Sequence, residues 1–369
     1  MSLKVLHVVN SLDPGGMENG VVNIAHALAQ RGITSHVACL ERRGAFADRL
    51  PKGSEVFLLG KTSGFSPAAA WRLARLIGRV RPDVVHSHNL GALIYSGLAT
   101  WGGWRRVLVH GEHSQLTEEE RWPRRLRQRR FFYGGCRIVH TVSAAMRKEL
   151  ILLGFPAKKI TDIANGVDIT RFTPADHRDA RIALSLPPDA LAVGIVGRFG
   201  PFKRHIQLIE AFEQVAPRFP KARLLIIGGG GSEESTVAQR AKASSVRARI
   251  HLLGFQPDPR ACYQALDLLV IPSVNEGFSN AALEAMACGV PVLARAECGH
   301  EQLITHGVDG WVEALPSATA LAARLGEILA EPARLVDFGR NARKKVTGHF
   351  SLESMIAAYE DLYRACAPR

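Results

Sequence analysis

The six cysteines of this 369-residue chain include no CxxC pair. Cys39, Cys136, Cys262, Cys288, Cys298 and Cys366 stand one at a time. That scatter argues against a zinc ribbon or a disulfide scaffold and fits reduced thiols in a cytosolic enzyme. Also missing is any run of about 18 apolar residues, which a membrane-crossing helix needs. The opening stretch Met1–Asn10 alternates, carries one lysine and has no cleavage site. It reads as a first strand, not a signal peptide. There is no short repeat, no low complexity outside one cationic run, and no interleaving of aromatic with basic residues of the kind nucleic-acid modules use. With 47% hydrophobic and 22% charged residues the composition is near the globular average, which excludes disorder and collagen. The length suits two domains, each with its own core.

Charge is plentiful but lopsided. Of the net +13, residues 1–175 hold 25 Lys and Arg against 13 Asp and Glu, while the rest hold 22 against 21. Such asymmetry fits an anionic partner, nucleic acid or a phospholipid surface, and equally a solvated basic face.

Strand-length apolar runs alternate with amphipathic stretches. Lys4–Val9, Ser35–Leu40, Glu55–Leu59, Val84–His86, Arg106–His110 and Arg137–Thr141 read as strands. Asn19–Gln30, Trp71–Val80 and Ala144–Leu153 read as helices between them. Near Phe172–Ala190 the pattern breaks at Pro174 and Pro187-Pro188, then restarts. Ala192–Val196, Arg223–Ile227, Arg249–Leu253, Leu268–Ile271 and Val290–Ala294 are the later strands, with helices at His205–Val215 and after Ser279. Alternation of this kind predicts two doubly wound parallel-sheet α/β domains, with ligands in a cleft at the carboxyl ends of the strands. The boundaries fall at 1–172, a linker at 173–190, a second domain at 191–349, and a last helix at 350–369 returning to the first.

In the second half, Asn275-Glu276-Gly277-Phe278-Ser279-Asn280 follows an apolar strand and precedes a helix carrying Glu284. Ser279 or Asn280 suits an N-cap, so the backbone amides of 277–280 make an anion site fit for a phosphate. Glu276 and Glu284 are acceptors for sugar hydroxyls. Gly197-Arg198 and then Lys203 follow another strand, where two cations can clamp a diphosphate. Each feature alone also occurs in ordinary caps and turns; their joint occurrence at strand ends carries the reading. His86, His88, His110 and His113 lack a carboxylate spacing suited to zinc, so no metal site is expected. His88 and His110 read as loop-edge or packing residues. The glycines 228–231 resemble a dinucleotide loop, but no acidic residue follows at the end of a strand about 20 residues on.

On these residues the sequence resembles the retaining glycosyltransferases of family 4 (group 1), which have the GT-B fold of two Rossmann-like domains facing across a cleft. Glu276-Gly277-Phe278 with Glu284 is similar to the family's E-x7-E element, followed by Ala285–Val292. Arg198 and Lys203 match its Arg-x4-Lys pair. Asn165-Gly166-Val167-Asp168 with Phe172 and Pro174, Gly15-Gly16 with Glu18, Asp83–His88 and His113 match further signatures.

The resemblance implies that Glu276 meets the donor sugar, Glu284 the ribose, and Arg198 and Lys203 the diphosphate in place of a metal. His113 would contact the sugar, Gly254 and Phe255 would lie near the base, and Gly15 and Gly16 near phosphates or acceptor. Glu276, His113, Arg198 and Lys203 are thus the catalytic candidates. Gly15, Gly16, Gly197, Gly254, Phe255, Gly277, Phe278, Ser279, Asn280 and Glu284 join them in holding the donor. The implied activity is transfer from a nucleotide-sugar, a UDP-sugar first, to a saccharide or lipid-linked acceptor in polysaccharide or glycolipid synthesis. No cofactor or metal is implied. A nucleotide-sugar epimerase of this fold and a nucleic-acid-binding protein are the alternatives.

Two departures stand out. Cys298-Gly299-His300-Glu301-Gln302 replaces the usual Gly-Gly-x-Pro-Glu, so Glu301 or Gln302 takes the glutamate's place. Arg204 stands where a glycine usually follows the lysine.

Between 121 and 130 there are six arginines and no acid, flanked by Trp122, Leu126, Phe131, Phe132 and Tyr133. Helical spacing from Pro123 would set arginine stems around a narrow apolar strip, the makeup of an interfacial helix. Arg121, Trp122, Arg124, Arg125 and Arg127 are the expected contacts with an anionic membrane. The expected location is cytoplasmic, peripheral at the inner membrane face.

Overall fold

The computed structural model describes residues 3–101, 107–274, 276–296 and 299–367. Arg106, Asn275 and Cys298, named above, lie outside them. The chain divides into two units, Met1–Asn165 with Glu353–Arg369, and Gly166–Leu352.

The first unit is built on seven strands, β1 (Lys4–Val9), β2 (Thr34–Cys39), β3 (Val56–Leu58), β4 (Val84–His88), β5 (Val107–Glu112), β6 (Ile138–Thr141) and β7 (Ile160–Asp162). They pair in parallel in the order β3-β2-β1-β4-β5-β6-β7. Helices α1 (Gly16–Gln30), α2 (Pro67–Val80), α3 (Asn89–Trp101), α4 (Pro123–Gly135) and α5 (Ala144–Leu152) make the crossovers. Parallel strands need such crossovers because no hairpin can join them. Local signals set the helix ends. Ser66 accepts from the Ala69 amide before Pro67 opens α2, and Arg81 turns left-handed (φ 49°) ahead of Pro82 to stop it.

The second unit has six strands, β8 (Leu191–Val196), β9 (Ala222–Ile227), β10 (Ile250–Gly254), β11 (Leu268–Ile271), β12 (Val292–Arg295) and β13 (Gly310–Glu313). Their parallel order is β10-β9-β8-β11-β12-β13. Its helices are α6 (His177–Ala183), α7 (His205–Val215), α8 (Glu234–Lys242), α9 (Arg260–Ala265), α10 (Asn280–Ala287), α11 (His300–Leu303), α12 (Ala318–Leu329) and α13 (Pro332–His349). The expected strand at Val290 starts two residues late, at Val292. Pro291 has no amide to give the ladder. In both sheets the strand order reverses beside the first strand of the unit, at β1/β4 and β8/β11.

Two expectations need correction. Residues 173–190 are not an open linker. Asp176 caps α6, and the buried Arg181 donates to Asp267 at 2.6 Å and to the Ala265 carbonyl at 3.0 Å, fastening the segment into the second unit. The division falls at 166 and 353 instead. The last helix, α14 (Leu352–Cys366), joins the first unit, where Arg31 bonds Glu360 at 2.6 Å and also pairs with Glu353.

The second correction concerns the arginine run. The apolar side of α4 turns to the core: Phe132 and Tyr133 are buried and Leu126 is half-buried. Arg129, 1% exposed, goes with them. Its Nε donates to Glu112 at 2.9 Å and its Nη2 to Glu120 at 2.8 Å, and the Tyr133 hydroxyl donates to Glu112 at 2.7 Å. Burial raises the Glu112 carboxyl, but His110 and Arg129 outweigh it and hold it well below the usual range. What α4 offers solvent is Trp122, Phe131 and the arginines at 121, 124, 125, 127 and 130, with Trp101 packed on Phe131 at 4.8 Å. The apolar strip is therefore spent on folding, because a parallel sheet requires cover on both faces.

Removing one partner of a buried pair strands the other. Arg129→Ala is expected to destabilise the protein by about 3–5 kcal/mol, and Arg124→Ser by no more than about 0.5 kcal/mol. Urea unfolding followed by circular dichroism of the two variants measures the contrast.

Candidate functional site

The carboxyl ends of β8, β9 and β10 approach one another through backbone alone. A Cβ on Gly228 would lie 1.9 Å from the Gly197 carbonyl oxygen, and one on Gly231 would lie 2.1 Å from that of Phe199. The Gly197 amide donates to Ile227, that of Phe199 to Gly230, and that of Gly228 to Gly254. Close packing of the strand ends is therefore what Gly228 and Gly231 serve. Phe255, 56% exposed, follows Gly254 and touches the space at Gly229.

This packing sets the loop after β8. Arg198 is exposed and makes no side-chain hydrogen bond or ion pair among the described residues. Lys203 closes a short 3-10 turn and reaches across to the loop after β11, where it pairs with Glu276. The Val274 amide donates to the Phe202 carbonyl at 2.9 Å, tying the two loops together. Arg204 then sits at φ 55°, ψ 41°. That left-handed geometry costs a side chain about 1–2 kcal/mol, which explains a glycine preference at the position.

Glu276 retains only 13% side-chain exposure. Burial pushes its carboxyl up, but Lys203 and His300 outweigh burial and hold it well below the usual range. His300 opens α11 after the left-handed Gly299 (φ 75°). Its Nδ1 donates to the Arg295 carbonyl at 2.9 Å, and its Nε2 stands 3.8 Å from Glu276. Of the departed motif, then, His300 reaches the site, while Glu301 is exposed and Gln302 half-buried. Sequence reasoning overlooked His300 because its register, not its type, brings it there.

Ser279 is the N-cap of α10, accepting from the Ala282 amide at 3.4 Å, so the helix N-terminus is aimed beside Gly277 and Asn280. Phe278 does not face a ligand with its ring, which is buried 5.7 Å from Phe350; only its backbone serves the loop. Along α10, Glu284 accepts from the buried Tyr263 hydroxyl at 2.7 Å. Burial lifts its carboxyl to about 7, and the Tyr263 bond only partly opposes this. Hydroxyl donors from a ligand would complete its hydrogen bonding and draw it to the ionised form. The unit thus gathers two cations, a helix N-terminus and two carboxylates at one edge, able to hold a diphosphate flanked by hydroxyl-bearing rings.

In the first unit Gly15 is the N-cap of α1, with the Glu18 carboxylate 2.2 Å from where a Cβ would stand. Gly16 is the first residue of that helix. His113 follows β5; its amide donates to the Asn89 side chain at 3.1 Å, and its Nε2 lies 2.9 Å from His88 Nδ1. His88 is therefore no mere packing residue. His7, His86 and His140 lie buried alongside, and ligand atoms of His7, His86 and His88 fall within 4.8 Å of one another. Five of those six ring nitrogens already have hydrogen-bond partners. The i, i+2 spacing of His86 and His88 was the available signal, since alternation puts both on one face.

The family profile described as glycosyl transferases group 1 matches residues 176–345, and that of glycosyltransferase family 4 matches 14–171. D-inositol 3-phosphate glycosyltransferase of Actinosynnema mirum is 30% identical over 407 aligned positions, covering 95% of this chain and 94% of its own. Its namesake 2 of Catenulispora acidiphila is 26% identical, covering 97% and 92%. Among solved structures, Anabaena HepE in complex with UDP and glucose has a TM-score of 0.86 at 24% identity, covering 98% of this chain and 100% of its own. Sucrose-phosphate synthase from Thermosynechococcus elongatus has 0.81 at 22%, covering 98% of both. These likenesses establish the GT-B fold.

Burial holds His7 down to about 3 and His113 to about 4, from an ordinary 6.5. Below 6.5 the unfolded chain takes up protons that the folded chain refuses. Stability from these groups is therefore complete above that pH and lost as pH falls towards 4, by up to about 1.4 kcal/mol per pH unit for each histidine. Melting temperatures across this range are expected to fall, with a smaller fall for His7→Phe.

Proposed function

The chain belongs to the family 4 glycosyltransferases, the group 1 glycosyl transferases, and we propose that it moves a sugar from a UDP-sugar to a saccharide or lipid-linked acceptor with retention of anomeric configuration. The observation that carries the donor reading is the meeting of Lys203 and Glu276, with Arg198 exposed and the N-terminus of α10 beside them. Arg198, Lys203 and the helix N-terminus take the diphosphate. Their fixed charge stabilises it as it leaves and stands in for a divalent ion. Glu284 takes the ribose hydroxyls, Glu276 the sugar, and Phe255 lies by the base.

The bond from the anomeric carbon to the phosphate oxygen breaks, leaving an oxocarbenium-like sugar. The acceptor oxygen attacks from the same face, and the departing phosphate takes its proton. Residues of this chain position and stabilise; none is required as a nucleophile. HepE in complex with UDP-glucose supports the choice of nucleotide, and the relatives' name adds D-inositol 3-phosphate as an acceptor to try. The excess of positive charge in the first 175 residues suits an anionic acceptor or its membrane.

The direct test incubates the protein and EDTA with UDP-, GDP- and ADP-glucose and each acceptor class. The expected product is an α-glucoside formed from the UDP donor. Donor conversion without an acceptor product would mean an epimerase. In calorimetry, Arg198→Ala is expected to weaken UDP binding at least tenfold, about what a charge-assisted hydrogen bond contributes. Unchanged affinity sinks the clamp.

Peripheral membrane docking through Arg121, Trp122, Arg124, Arg125 and Arg127 is the second part of the reading. No helix among the described residues is long and apolar enough to cross a membrane. The support is the exposed Trp101, Trp122 and Phe131 among arginines. At about 1 kcal/mol per basic residue, changing Arg124, Arg125 and Arg127 to Ser should lower sedimentation with anionic vesicles by roughly a hundredfold. Equal, salt-insensitive partitioning of variant and wild type refutes docking and leaves the transfer reaction untouched.

A further inference from the structure

The family resemblance gives a role, contact with the donor sugar, to His113 alone of six histidines clustered around β1, β4, β5 and β6. His7, His86, His88, His110 and His140 are all buried. His7 and His86 are register partners on adjacent strands, His88 follows two residues on, and His140 comes from β6. Between them, on β5, stands Gly111. A Cβ there would lie 2.6 Å from His140 Nε2 and 2.9 Å from His113 Nε2. The glycine is a hole through which the rings meet.

Two chains of contacts result. His86 joins the Tyr363 hydroxyl at 2.7 Å and His140 at 2.9 Å. The other chain runs from His113 Nε2 to His88 Nδ1 at 2.9 Å, then from His88 Nε2 to His7 Nδ1 at 3.1 Å, and ends at His7 Nε2, buried without a partner. Burial keeps the three rings neutral. Each then has one N–H, and the chain has only two polarities. In one, His7 Nε2 carries an orphaned buried N–H. In the other it is a bare lone pair, which proteins tolerate more readily. The second polarity makes His7 donate to His88 and His88 donate to His113 Nε2.

We infer that His88, backed by His7, locks His113 in the tautomer that carries its proton on Nδ1, presenting the ring to the donor sugar as a hydrogen-bond donor. His88 and His7 are positioning residues, and Gly111 supplies the room. The inference rests on the reading that His113 meets the sugar. A metal ion held by His7, His86 and His88 would take one nitrogen from each and break at least two of the hydrogen bonds these rings make, so the cluster is assigned to tautomer control instead.

The test is nitrogen NMR of protein labelled with 15N-histidine, the His113 signals assigned by their loss in His113→Ala. The wild type should show protonated Nδ1 and bare Nε2 at His113. His88→Phe should revert it to the Nε2–H form that an unconstrained neutral histidine prefers. His88→Gln, whose amide can still donate, should keep the wild-type pattern. In the transfer assay His88→Phe should lower kcat about tenfold, leave UDP affinity unchanged, and add nothing in the His113→Ala background. An Nε2–H pattern in the wild type, an unchanged pattern in His88→Phe, or stoichiometric zinc in the purified protein overturns the inference. Should His88→Phe fail to fold, the wild-type and His88→Gln spectra decide. Full turnover by His113→Ala would instead remove the sugar contact and leave the tautomer to be read directly.

Discussion

Parallel pairing is the constraint on which the rest of the structure depends. Strands joined only by crossovers all run the same way, so every one ends at the same edge of its sheet. Each residue given a chemical role stands on such an edge or in the helix that starts there. His88 ends β4 and His113 follows β5, Arg198 and Lys203 follow β8, Phe255 follows β10, Glu276 follows β11, and His300 comes after β12. Residues 73 positions apart in sequence thereby become neighbours in the pair Lys203–Glu276.

Close approach at those edges carries a price in side chains. Gly228 and Gly231 give up theirs so that the loops after β8 and β9 can touch through backbone. Gly111 gives up its own so that two imidazoles can pass. Arg204 shows the opposite choice, a side chain kept at a left-handed turn, with its guanidinium bonded to Gln207 at 3.2 Å. The second unit holds its buried charge in compensated form, Glu276 against Lys203 and His300. The first unit holds most of its buried histidines neutral, because desolvation is the largest influence on them and Glu112 opposes it only in part.

The proposed docking and the folding of the first unit draw on the same cationic segment. Arg129 looks like its neighbours in the run of six, yet it spans the core side of α4 to reach Glu112 and Glu120. The phase of a helix decides this, and a run so rich in arginine has almost no periodic contrast from which to read phase. Phe131 stays outside while Tyr133 goes in because 3.6 residues per turn set two residues apart on opposite sides, and Trp122 stays outside because it precedes the helix as its extended N-cap.

Sequence alone determined the alternation of strands and helices, the two-unit plan, the strand-end placement of Arg198, Lys203 and Glu276, and the place of Glu284 in the helix that follows. These follow from local pattern, from Pro and Gly punctuation, and from motif spacing, all of which act over a few residues. It also marked His113, through resemblance. It did not give the fastening of residues 173–190 through Arg181, the role of His300, the inward turn of Arg129, or the chain from His113 to His7. Each of those rests on a contact between elements whose register and phase are set only when a sheet and its own covering helices pack. The strength of such contacts depends on a burial that no single segment possesses by itself.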